Sequence, residues 1–364
     1  MFELLARRWA APASAVGLTF NASQSHVAAP LADGSIALVD CADAEPPESR
    51  IAVDASGRRT ISPRRSEPRP ATILAAYGPG PAEVVCGPDD GGFLIAWRDA
   101  SLWRLDGAGT VLPVAPPGPA PLVALDRRGA TTMIVTSDEA SLRPDDGPAN
   151  RARAPTSVRV ASLSPDGGTV AFGSAQGIEF AQAAAPGEIV RRCPTPGPVD
   201  RIVWRDDGDY IAAACGAAGL ALVDLRDGRI GRVDGFPAPL RSIAFSGPSN
   251  ALVASGAYRI AAWDLERPPF DGDRSGALET GRTGMVAVVE VAAHPKRRLV
   301  AAAYANGQVV IAEPGRRDEM ILKASGATPA ALAWSADGRM LAIAARDAVA
   351  LATLPDALFK SSEP

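Results

Sequence analysis

Histidine is almost missing from this chain: His26 and His294 are the only two in 364 residues. Two imidazoles are too few for an ordinary zinc site or a histidine-based catalytic triad. Cysteine is sparse as well. Cys41, Cys86, Cys193 and Cys215 lie far apart with no C-x-x-C spacing, which reads as reduced, buried thiols rather than disulfides or metal ligands. No apolar run approaches the roughly 18 residues of a membrane span. The opening MFELLARRWAAPASA ends like a leader cleavage site, but Glu3, Arg7 and Arg8 interrupt the apolar stretch a leader needs. The start is therefore expected to be structure, and the location cytoplasmic, away from membranes. A net charge of -4 argues against a nucleic-acid partner. Nucleophile elbows, phosphate-binding loops and dinucleotide fingerprints are all missing. Ser275 sits in Arg-Ser-Gly, without the spacing of an elbow. We expect no catalytic, cofactor or metal residues from these absences.

What is abundant is small and apolar. Hydrophobic residues make up 47% of the chain, yet aromatics only 5%. Ala and Val on short runs suit closely stacked sheets. Those runs repeat. RIVWRDDGDYIAAACGAAGLALVDL (201–225) and AALAWSADGRMLAIAARDAVALATLP (330–355) are the same phrase reworded. Further copies occupy 16–40, 83–106, 158–182, 241–265 and 288–313, and a poorer one 122–144. The spacing of about 40 residues is that of a propeller blade.

Each copy has three runs of strand length, cut by SPDG, DDG, SADG or ANG. Such turns supply positive φ and side-chain-to-backbone bonds for tight hairpins. Fourth strands follow at 110–115, 188–193, 228–234 and 319–324. The last copy has none, whereas Phe2 to Trp9 precedes the first copy without a partner. A ring resolves both, because closure leaves no open sheet edge. The expected fold is all-β: a single closed β-propeller of four-stranded antiparallel blades over 1–357, closed by the N-terminal strand, with a short tail at 358–364. The blade count is eight, or seven if the 122–144 copy is a distorted connection.

These residues resemble the WD-repeat family of β-propellers over essentially the whole chain. A true Trp-Asp pair closes a third strand only at Trp263–Asp264; Val39–Asp40, Val223–Asp224 and Ala312–Glu313 take its place elsewhere. The turns at Ser164–Gly167, Ser335–Gly338 and His294–Arg298 are similar to the family's first turn. The Gly-His dipeptide of the family is absent, so from its hydrogen-bond tetrad only Asp33 has a counterpart. The resemblance implies a scaffold that docks protein partners.

Two insertions break the period, at 42–70 and 266–284. The first carries Arg50, Arg58, Arg59, Arg64, Arg65 and Arg69 among prolines, and composition reads it as loop or disorder. Arg58, Arg59, Arg64, Arg65 and Arg69 form a candidate basic patch, weighed against a plain solvated loop. Acidic clusters at Asp89–Gly92, Asp206–Asp209 and Asp271–Asp273 raise a calcium question, but two stand where the repeat needs hairpin turns. The six tryptophans are expected to pack between blades.

Turns between second and third strands share one face of the ring with the connections between blades. That face is expected to carry Arg98, Asp99, Phe236, Tyr258, Arg259, Tyr304, Asn306 and Arg346, and Tyr and Arg are the side chains favoured at interface hot spots. The leading expectation is a non-enzymatic, monomeric protein-interaction scaffold that docks one or more proteins. The alternative is a metal- or cofactor-dependent hydrolase or lyase with its site in the central channel, which would need acids converging from several blades.

Overall fold

The computed structural model describes residues 1–53, 59–270, 272 and 274–358. Within them the repeat becomes eight antiparallel sheets, each a blade. Blade 1 has strands Thr19–Phe20, His26–Pro30, Ile36–Asp40 and Thr72–Leu74. Blade 2 has Glu83–Cys86, Phe93–Ala96, Leu102–Leu105 and Val111–Ala115, and blade 3 has Leu122–Arg128, Thr131–Thr136, Glu139–Pro144 and Asn150–Arg153. Blade 4 starts at Val160–Leu163 and ends at Ala185–Cys193. In blade 5 the strands are Arg201–Trp204, Tyr210–Ala214, Leu220–Asp224 and Ile230–Val233. Blade 7 runs from Val288–Ala293 to Glu319–Lys323.

The ring closes as the sequence implies. Blade 8 supplies Pro329–Trp334, Met340–Ala345 and Ala348–Thr353, and its outer strand is the N-terminal Ala6–Ala10. Ala6 pairs with Ala352 and Ala10 with Ala348, antiparallel throughout. Leu5 and Trp9 are buried by this arrangement, so the first residues of the chain finish the last blade.

Two local departures follow from the insertions. Blade 6 has only three regular strands, Ile243–Ser246, Ala251–Ala254 and Ala261–Asp264. Its fourth place is taken by residues of the second insertion, through single bridges from Ile260 to Thr280 and from Trp263 to Ala277. The first insertion is more ordered than its composition suggests. It forms a 3-10 turn at Pro47–Arg50 and a hairpin of Ile51–Val53 with Arg59–Ile61. The physical reason is non-local: Arg50 donates to the carbonyls of Glu45 (3.0 Å), Ser62 (2.5 Å) and Leu4 (2.6 Å), which ties both ends of the insertion to the N-terminus.

The turn chemistry behaves as its residues dictate. Ser164 Oγ donates to Asp166 and Ser335 Oγ to Asp337, while Gly167 and Gly338 take φ of 71° and 77°. Gly338 has a second reason to be glycine, because a Cβ there would meet the His294 ring at 2.2 Å. His294 is buried against Trp334 with ring centroids 4.7 Å apart. Its Nδ1 accepts from the amides of Lys296 and Arg297, which leaves the Nε2 proton for the Gly338 carbonyl at 3.0 Å. The histidine is thus a joint between blades 7 and 8, and burial holds its pKa below the usual value.

The acidic clusters stand in turns and ion pairs where they are described. Asp89 pairs with Arg104, Asp207 with Arg205, and Asp209 with Arg226. Asp271 and Asp273 lie outside the described residues, as does Arg58. No described helix is long and apolar enough to cross a membrane.

Candidate interaction surfaces

Strand order alone distributes the candidates. Turns between second and third strands and the connections between blades emerge on one face, and the remaining turns on the other. On the first face blade 6 presents large side chains to solvent. Tyr258 is 44% exposed and Met285 94%. The Gly284 amide donates to the Tyr258 carbonyl at 2.9 Å, so the two loops carrying these side chains are hydrogen-bonded to each other. Arg259 donates to Thr283 Oγ1 from Nε at 2.9 Å and lies 3.7 Å from Glu279. Beside it, Phe236 meets Trp263 edge to face, centroids 6.3 Å apart. Phe236, Arg259, Trp263, Leu278 and Glu279 line a cavity of about 340 Å³. Blade 6 is open here because its fourth strand is irregular.

The other candidates on this face scatter. Arg98 and Arg346 are exposed, but blade 2 lies across the ring from blade 6 and blade 8 is two blades away. Asp99 spends its carboxylate on the Ser101 amide and hydroxyl, 3.1 and 2.7 Å away, and Asn306 accepts from the Gln308 amide. Both are turn builders, like Asp33 with Ser35. Tyr304 corrects the reading from spacing. It is only 5% exposed, packed with Val253, Ile260 and Val288, and burial pushes its hydroxyl up to about 12. One residue further along, its side chain would have reached the turn. No repeat pattern marks Met285, which lies just past the second insertion.

The arginine insertion lies on the opposite face. Arg64 grips Asp43 with both nitrogens at 2.6 and 2.5 Å. The Arg65 amide donates to Glu45, and Arg69 stands 3.4 Å from Asp40 while its carbonyl accepts from Trp9. Arg59 begins the second strand of the hairpin. The buried arginines here are Arg50 and Arg7, and both serve the closure. Arg7 donates to the carbonyls of Asp40 at 3.1 Å, Cys41 at 2.7 Å and Ala42.

A further set converges on the axis. Glu83, Arg201, Ser242 and Glu290 sit at one level, each three residues before the residue that ends the first run of its copy. First strands of neighbouring blades lie against each other around the channel. Glu290 accepts from Ser242 Oγ at 2.7 Å and lies 3.6 Å from Arg201. Burial raises the pKa of both Glu83 and Glu290, and the charge of Arg201 partly offsets each. Glu83, on the first strand of blade 2, feels the charge of Arg201 from blade 5 and keeps accessible surface. The repeat alignment carried this signal, since the four residues occupy one slot.

No family model and no curated protein matches the chain. Solved structures do. The C-terminal WD40 domain of Sif2 superposes with a TM-score of 0.67 at 13% identity, covering 96% of this chain and 99% of that one. Sqt1 of Chaetomium thermophilum gives 0.73 at 14% identity, covering 98% and 99%. At such identities the likeness is one of fold: the chain is an eight-bladed, WD-repeat-like β-propeller.

Proposed function

We propose that this chain is a non-enzymatic interaction scaffold and that a protein partner docks on the face where blade 6 presents Tyr258, Arg259 and Met285. One observation carries the reading. Two large apolar side chains stand in solvent on loops that hydrogen bonds hold in place, beside a partly apolar cavity lined by Phe236. An exposed Met with no packing role costs solubility and suits an adaptable contact surface. Tyrosine adds rigid area, and arginine adds forked hydrogen bonds for an acidic or backbone group. Likeness to WD40 domains supports the scaffold reading at the level of fold.

A combined Tyr258→Ala, Arg259→Ala and Met285→Ala variant should melt like the parent and lose its partner in pull-downs from the native host. Loss of hot-spot side chains costs about 2 kcal/mol each, so affinity should fall at least about thirtyfold. Undiminished recovery by the folded variant would move the site to the opposite face, where Arg64, Arg65 and Arg69 are the next residues to replace.

A further inference from the structure

Blade 3 departs from the repeat on one side only. In blade 5 the cross-strand pairs Ile211–Val223 and Ala213–Ala221 turn apolar side chains toward blade 4. The same places in blade 3 hold the pairs Thr132–Arg143 and Ile134–Ser141. Alternation aims these four at blade 2, because the intervening Met133, Val135, Ala140 and Leu142 pack against blade 4. A threonine, an arginine and a serine thus occupy core slots. The core between blades 2 and 3 is correspondingly small: Leu94, Ala96, Leu102 and Leu125 among the described residues. Beside it a cleft of about 640 Å³ opens.

The cleft is lined by two chemistries. Leu94, Leu102, Val114 and Ile134 supply apolar surface. Arg104, Arg127, Arg143 and Arg151 supply charge, but not equally, and Arg151 stands 3.3 Å from Glu139. Arg127 is neutralised, donating to both oxygens of Asp145 at 2.7 and 2.6 Å and to Thr132 at 2.8 Å. Arg104 pairs with Asp89. The Arg143 side chain makes no hydrogen bond or ion pair among the described residues and only adds its field to that acting on Asp145. A guanidinium without a counter-ion stands beside an apolar wall, in a volume typical of small-molecule sites, which run from about 300 to 1,000 Å³.

We propose that this cleft binds a small amphipathic organic anion, its apolar body against Leu94, Leu102 and Ile134 and its carboxylate, sulfonate or phosphate head on Arg143. A forked guanidinium is the side chain best matched to such oxyanions. The site is independent of the face around Tyr258, so either can fail without the other.

Anilinonaphthalene sulfonate, an aromatic body with an anionic head, is the probe, titrated into the full-length folded protein and read by fluorescence. Saturable one-to-one binding is expected. Arg143→Gln should weaken it at least about tenfold, and Arg143→Glu should abolish it. Both variants should melt like the parent, because Arg143 is exposed and unpaired; if charge reversal disturbs folding, Arg143→Gln carries the test alone. Arg232→Glu, an equal charge change on the exposed outer strand of blade 5, should leave binding unchanged. A medium-chain fatty acid should displace the probe, whereas inorganic phosphate should not. The proposal is overturned if the parent shows no saturable binding, if the folded Arg143 variants bind like the parent, or if Arg232→Glu does equal damage. Equal displacement by phosphate overturns the amphipathic ligand.

Discussion

Blades 8 and 1 meet where the chain's beginning must join its end, while blades 2 and 3 meet within an uninterrupted run of sequence, yet the first junction is the better packed. Trp9, Ala15, Val27, Val39, Ala342 and Leu351 belong to one buried cluster across it. Both junctions use arginine, in opposite ways. At the closure Arg7 and Arg50 are buried and spend their nitrogens on backbone carbonyls of the insertion and the N-terminus. Between blades 2 and 3 the arginines face carboxylates or solvent at the edge of a cleft. The same side chain seals one junction and holds the other open, because what differs is the partner it finds. A seam between the two ends of a chain must be sealed by its own contacts. A seam inside continuous sequence is held by covalent connection and can give up core for polar surface.

The largest test of this contrast is at the closure. Arg7→Ala removes the donor to three carbonyls and leaves buried acceptors unpaired, so it should cost about 2–4 kcal/mol in urea unfolding. A cost no greater than that of Arg143→Ala would show that the buried arginine does not seal the ring. A smaller effect, of opposite sign, is expected in the cleft. Ser141→Ala with Arg143→Val puts the side chains of blade 5's Ala221 and Val223 at the corresponding places and should stabilise by up to about 1 kcal/mol while ending probe binding. Destabilisation would mean that Ser141 and Arg143 are structural.

The smallest effect is on pH dependence. The hydrogen bond from Arg127 holds Asp145 below its unfolded pKa of 3.8. Stability from that pair is complete above 3.8 and lost as the pH falls through the lower folded value. Because Asp145 is partly exposed, the loss should be under about 1 kcal/mol. Asp43 titrates at the closure too, but the carbonyls held by Arg7 and Arg50 do not. Below pH 3.8, amide protection of Thr131–Thr136 should therefore fall before that of Ala6–Ala10, once exchange is corrected for its intrinsic rate. Simultaneous loss would place both seams in one cooperative unit.

Much of the fold could be read in advance because its signals are local. Strand runs, the Ser-Asp-Gly turns and the missing fourth strand of the last copy lie within stretches of about 40 residues. The 122–144 copy reads poorly for an informative reason: Arg127, Thr132 and Arg143 sit in slots that the repeat reserves for core, and those residues line the cleft. The site was harder. Spacing puts Tyr304 next to a turn, and a single residue of strand separates exposure from burial. The insertion looked like free loop, because nothing near Arg50 reveals that Leu4 and Ser62 will receive its nitrogens.

The sequence by itself determined the repeating strands, their turns and the means of closure, since alternation and turn chemistry act between near neighbours. The choice of eight blades over seven was left to the structure, where 122–153 forms a full sheet. Tertiary structure alone decided which polar side chains find partners. The terminal nitrogens of Arg7 and the guanidinium groups of Arg50 and Arg127 find partners, and Arg143 finds none, because of residues up to 46 positions away, brought beside them or kept from them by the packing of blade on blade.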